Sequence, residues 1–136
     1  MAANFDSLPD SFCAGARYSE RMDCAIYLKE DCSYRSMRIS QKLSLLVDPY
    51  DDEKPVGVKI KGVQHLIERL ISILDDKIDD KVELKKLLQV AILSDEYAES
   101  AMSEAELERR KQLSDRAHAF LSEENVSLAI PLALAA

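Results

Sequence analysis

Val58–Ile78 reads VKIKGVQHLIERLISILDDKI, and the rest of the chain is read outward from it. At 100° per residue, Ile60, Val63, Leu66, Ile67, Leu70, Ile71, Ile73, Leu74 and Ile78 fall on one arc roughly 160° wide. Lys61, His65, Glu68, Arg69, Ser72 and Asp76 fall opposite. The adjacent apolar pairs Leu66–Ile67 and Leu70–Ile71 break strict alternation, so the stretch reads as one long helix rather than a strand. Each buried Leu or Ile contributes about 1.5–3 kcal/mol, so other elements must cover this face.

Downstream, DDKIDD (Asp75–Asp80) is a polar exit, and Lys81–Leu93 reads as the next helix. Leu84, Leu87, Leu88, Ala91 and Ile92 share a face, while Val82, Val90 and Leu93 point elsewhere. A helix apolar on more than one side is central or lies in a subunit interface, which predicts a homodimer. Ser103-Glu104-Ala105-Glu106 fits the capping box and opens a helix to about Leu121, with Leu107, Leu113, Ala117, Phe120 and Leu121 inward.

Upstream, Ser33–Val47 reads as a helix through Ile39, Leu43, Leu46 and Val47, stopped by Asp48-Pro49. DPYDDEKPVG then reads as a polar loop. Ser11–Asp31 is read as a helix, although CAIYL (Cys24–Leu28) also suits a strand. The fold expected is all-α: a compact bundle of four to five helices around a central antiparallel helical hairpin. Residues 1–10 form a flexible lead-in, 11–122 a single helical domain and 123–136 an apolar C-terminal tail.

The chain has 136 residues, which suits one core. Its net charge is −7 and its pI is near 4.9, which disfavours a general nucleic-acid binder. No run of 18 apolar residues and no leader pattern at the N-terminus point to a cytoplasmic protein. Cys13, Cys24 and Cys32 are an odd, widely spaced set, read as reduced thiols.

The motifs for chemistry fail where it matters. Gly57-Val-Lys-Ile-Lys-Gly62 copies the glycines of a phosphate loop, but Val63-Gln64 stands where Lys-Ser/Thr is needed. A calcium loop starting at Asp75 would meet Lys77, Asp80 and Lys86 at positions that require an oxygen ligand, Gly and Glu. The cysteines form no C-x-x-C, and His65 and His118 are far apart, so no metal, cofactor or catalytic residue is assigned.

Arg35, Arg38 and Lys42, with Arg17 and Arg21 upstream, form the clearest basic patch, suited to a phosphate or an acidic protein surface. Glu106 and Arg110 fall inside the apolar arc of their helix, at i and i+4. They pair with each other or meet a partner's charges. The tail NVSLAIPLALAA is almost wholly apolar. Its last four residues, Ala133-Leu134-Ala135-Ala136, preceded by Leu132, resemble the C-terminal end of the bacterial tmRNA degradation tag. That resemblance implies recognition of a free C-terminus by an unfolding protease. The other readings are packing on its own domain or a sister subunit, and docking into another protein.

The function expected is a non-enzymatic protein-interaction module: an adaptor, inhibitor, immunity-type or chaperone-type protein of a bacterium or phage that binds and occludes a protein partner. Its partner-binding residues are Arg35, Arg38, Lys42, Glu106, Arg110, Leu132, Leu134 and Ala136. The alternatives are a nucleic-acid-linked regulator using the basic flank of 33–47, and a small helical enzyme or ligand sensor.

Overall fold

The computed structural model describes residues 15–30, 32–74, 81–94, 103–124 and 126–130. It is not all-α. Strands β1 (Gly15–Ser19), β2 (Cys24–Leu28), β3 (Arg35–Arg38), β4 (Leu43–Asp48) and β5 (Asp51–Lys61) form an antiparallel sheet in the order β1-β2-β5-β4-β3. Helix α1 (Val63–Leu74) follows. Then come β6 (Lys81–Glu83), α2 (Leu84–Ser94), α3 (Glu104–Glu124) and β7 (Ser127–Ala129). β6 and β7 pair as a two-stranded sheet. One sheet face and the three helices enclose a shared core.

The opening stretch divides at Gly62. Val56, Val58 and Ile60 alternate with Gly57, Lys59 and Lys61 and finish the central strand, as period-2 patterning requires. Only Val63–Leu74 is the described helix, with Val63, Leu66, Ile67 and Leu70 at no more than 1% exposure. Ile60 and Val63 share a helical phase by coincidence, which hid the junction. Gly62 supplies the turn, at φ +69°, where a side chain would be strained.

The same error produced the expected helix over Ser33–Val47. In β4, Leu43, Leu45 and Val47 alternate toward the helices, but Leu46 on the other face is also fully buried. A strand buried on both faces presents a continuous apolar run that mimics a helix. The expected polar loop is a hairpin. Asp48 and Asp51 pair across Pro49-Tyr50, and the Tyr50 N–H donates to Asp48 Oδ1 at 2.8 Å. Pro49 fixes φ near −65°, which excludes the primed turns that match strand twist. The β4–β5 register shifts at Val47 take up the misfit. Pro55 is tolerated because β2 pairs with β5 only from Gly57 onward, so Pro55 faces Val47 of β4 alone.

CAIYL is β2, and its strand reading is the correct one. The turn before it carries Asp23, at φ +50°. Its Oδ1 accepts the Tyr18 hydroxyl at 2.7 Å and the Gln64 N–H at 2.9 Å. Its carbonyl accepts the N–H groups of Gly62 and Val63. One residue of the first hairpin therefore satisfies two of the orphan donors that open α1, those of Val63 and Gln64.

Lys81–Leu93 is β6 followed by a helix, not one helix. Its two-sided apolar pattern is used within one chain. Val82 pairs with Leu128, and Leu84, Leu87, Leu88, Val90 and Ala91 are all buried, leaving Leu93 half exposed. α1 and α2 pack on each other, and β7 lies beside β1. The capping box forms: Ser103 Oγ accepts the Glu106 N–H at 3.2 Å, and Glu106 Oε1 accepts the Ser103 N–H at 3.3 Å. No helix among the described residues is long and apolar enough to cross a membrane.

Candidate functional site

Strand register assigns every side chain of the sheet to a face, because residues directly opposite each other share one. Ala25, Tyr27, Leu43, Leu45, Val58 and Ile60 face the helices. On the outer face, one row crosses all five strands: Arg17, Ile26, Lys59, Ser44, Arg38. The row beside it runs Ser19, Cys24, Lys61. On the other side lie Gly15, Leu28, Gly57, Leu46 and Ser36. No position in these rows is acidic. Arg17, Arg38 and Lys61 are exposed and Lys59 is half-buried. With strands about 4.8 Å apart, the backbone positions of Arg17, Lys59 and Arg38 stand about 10 Å apart along the row.

Four cations outside these rows are paired. Lys29 meets Glu124 at 3.4 Å, Lys54 meets Glu30 at 3.5 Å, Lys86 meets Glu83 at 3.6 Å, and Arg35 pairs with Asp52. Among the described residues, Arg17, Lys59 and Lys61 make no ion pair. In a chain of net charge −7, an unopposed row of one sign is a local field that attracts carboxylates or phosphates.

A second cationic feature adjoins the row at Arg38. Ile39, Ser40 and Gln41, in the turn after β3, face Glu106, Arg109 and Arg110 of α3 across a cleft of about 260 Å³. Arg110 is 4% exposed, because it heads the buried stripe of α3 that continues through Leu113, Ser114, Ala117, Phe120 and Leu121. Arg38 Nε donates to the Ser40 carbonyl at 3.2 Å, which holds this side chain over the turn. Other clefts flank α3, two of them shared with further elements. One, between α2 and α3, is lined by Ile92, Leu107, Lys111, Ser114, Asp115 and His118 as well as Arg110. The other balances Lys29, Lys54 and Arg116 against Glu30, Glu53 and Glu123.

The expected partner-binding residues are therefore only partly assembled. Arg38, Glu106 and Arg110 line one cleft. Arg35 is turned to Asp52. Lys42 is half-buried, with its carbonyl accepting the Lys61 N–H at 2.8 Å. Leu132, Leu134 and Ala136 lie outside the described residues. Arg17 joins Arg38 only through the register, and Arg21 sits in the β1–β2 turn. Lys59, Lys61 and Arg109 are not among the expected partner-binding residues. The strict alternation of VGVKIK (Val56–Lys61) is the signal that identifies the two lysines as outer-face residues.

Reactive groups are not concentrated at either feature. His118 Nε2 lies 3.0 Å from Gln89 Nε2 in an open cleft, and His65 is exposed. Cys24 is buried and Cys32 half-buried. No group of three His, Cys, Asp or Glu among the described residues is placed to hold a metal. Two tyrosines have perturbed acidities, both on the helix side. Burial and the hydrogen bond to Glu124 push the Tyr27 phenol up to about 12. Burial and Asp23 likewise raise that of Tyr18. These groups hold the fold: Tyr27 donates to Glu124 Oε1 at 2.9 Å and stacks obliquely on Phe120 at 5.9 Å. No protein-family model matches the chain, and neither a curated protein nor a solved structure is detectably similar to it.

Proposed function

We propose that the protein is a non-enzymatic interaction module, of the adaptor or inhibitor kind, that docks and occludes an acidic surface of a protein partner on the outer face of its sheet. One observation carries this reading: the row Arg17–Lys59–Arg38, with Lys61 beside it, lies on the sheet face away from the helices, and no described position of these rows is acidic. Carboxylates about 10 Å apart on a partner match that spacing. Ile26, between Arg17 and Lys59, and Leu28, in the adjoining row, are half-buried. They give a protein surface something to exclude water against. No aromatic ring stands in these rows to stack a nucleic-acid base, and a net charge of −7 opposes a polyphosphate chain.

The test compares capture from the producing cells by the full chain and by an Arg17→Glu/Lys59→Glu variant. A stoichiometric acidic protein held by the former and lost by the latter is the expected result. Equal capture by both overturns the reading, and nucleic acid in the eluate replaces it with a nucleic-acid-linked regulator.

A further inference from the structure

The two edges of the five-stranded sheet differ. β1 has β7 beside it, whereas β3 ends the order β1-β2-β5-β4-β3. Register and hydrogen bonding tell which groups of β3 turn away from the sheet. The Ile39 N–H donates to the Leu43 carbonyl at 2.9 Å, and Met37 and Arg35 stand opposite Leu45 and Val47. In an antiparallel pair, every second residue directs its N–H and carbonyl to the neighbouring strand. Met37 and Arg35 therefore bond to β4, and Ser36 and Arg38 direct their backbone groups outward. Among the described residues, no backbone bond reaches Ser36 or Arg38 from beyond the sheet. Both are exposed, and Met37 between them is half-buried against the core. Such an edge is a template for one more strand.

The side chains specify the strand that fits. A residue added opposite Arg38 lies about 4.8 Å from it on the outer face, at the open end of the row Arg17–Lys59–Arg38. A carboxylate there meets the Arg38 guanidinium, which is held over the turn by its Nε bond to the Ser40 carbonyl at 3.2 Å. The next residue of the added strand shares the helix side with Met37, and an apolar side chain there covers it. A neutral or basic strand gains no ion pair, and Arg35-Ser36-Met37-Arg38 of a second copy brings no acid. We infer that β3 receives an extended segment of a partner protein in which acidic and apolar residues alternate, added antiparallel as a sixth strand. This rests on the outer face docking an acidic protein, and it identifies the part of that protein that makes the contact.

The test is a fluorescence-anisotropy titration of the full chain into a labelled peptide of about ten residues that alternates valine and glutamate. Saturable binding is expected, weakened about tenfold or more when glutamine replaces glutamate, because charge-assisted hydrogen bonds are lost. With a glutamate opposite Arg38, the glutamate amides face β3 and the valine amides face away. N-methylation of the glutamate amides is therefore expected to abolish binding, and that of the valine amides to be tolerated. Ser36→Pro removes an outward N–H and no bond to β4, a change that edge strands accept. It is expected to weaken binding about tenfold or more while thermal unfolding stays cooperative. No saturable binding overturns the proposal. So does equal binding of the glutamine peptide, an equal response to the two methylation patterns, or full affinity in Ser36→Pro. The methylated peptides leave the protein unchanged, so they decide the outcome if Ser36→Pro fails to fold. Capture from the producing cells separates strand addition from face docking. An acidic protein lost by Arg17→Glu/Lys59→Glu but kept by Ser36→Pro overturns strand addition alone. Peptide binding with no acidic protein captured overturns face docking alone.

Discussion

The two faces of the five-stranded sheet are built by the same strands to opposite ends. Toward the helices, Leu43, Leu45, Val58 and Ile60 are at most 1% exposed. On the reverse, the intervening residues include Arg17, Arg38, Lys59 and Lys61, none of which the core uses. Each step along a strand alternates between stability and surface chemistry. Substitutions one residue apart should therefore differ by several kcal/mol in their cost.

The largest expected effect is at Gly57, where the backbone of β2 leaves no room for a side chain. A Cβ built there lies 2.1 Å from the Tyr27 carbonyl oxygen and 3.1 Å from Leu28. Backbone cannot yield as a flexible side chain does, so Gly57→Ala must spread the central strand pair. A loss on the order of 3 kcal/mol or more is expected in chemical denaturation, of the size reserved for core disruption. A loss under about 1 kcal/mol would show that the strands separate easily. Next in size is Leu45→Ala, at about 2–5 kcal/mol. Ser44→Ala, its neighbour in sequence, should stay within about 0.5 kcal/mol, as outer-face substitutions do. Similar values for the two would break the two-face assignment.

A third contrast is in pH. The folded pKa of Tyr27 is raised to about 12 from 10.0, so the phenol is favoured over the phenolate in the fold. Its contribution is fully present below pH 10 and is lost as pH rises through 10 toward 12. The loss is on the order of 1–2 kcal/mol, and the raised acidity of Tyr18 acts in the same direction. Stability measured from pH 9 to 12 should fall less steeply in Tyr27→Phe. Parallel curves would mean that the Glu124 contact carries no pH dependence. Smaller still is Asp23→Ala, which removes the acceptor for the Gln64 N–H at about 1 kcal/mol for a helix cap.

Legibility in the sequence followed how local each feature is. The capping box at Ser103 and the apolar face of α1 depend on residues three or four apart, and both were readable. The sheet was not, because Leu46 filled the polar slot in the alternation of β4. The acidic run Asp51–Glu53, flanked by two prolines, also disguised the start of β5 as a loop. The cationic row was least legible of all. Arg17, Arg38 and Lys59 are about twenty residues apart and share a face only after the pairings β1–β2–β5–β4–β3 exist. The arginine cleft likewise joins a turn after β3 to a helix some seventy residues later.

The smallest effect is also the sharpest test of the outer face. Lys59 stands between Arg17 and Arg38 in the row, with Lys61 two residues along the same strand. At about 10 Å, two like charges in water repel by roughly 0.4 kcal/mol before screening. The Debye length at 0.1 M salt is about 10 Å. Neighbours in the row therefore weigh more on Lys59 than acids on the far side of the molecule. Lys59→Gln should raise stability by a few tenths of a kcal/mol at low salt, and 1 M salt should erase the gain. A residue kept at a cost to the fold is one whose use lies outside it. If Lys59→Gln instead destabilises the protein at low salt, acids must already neutralise the row, and the docking face loses its basis.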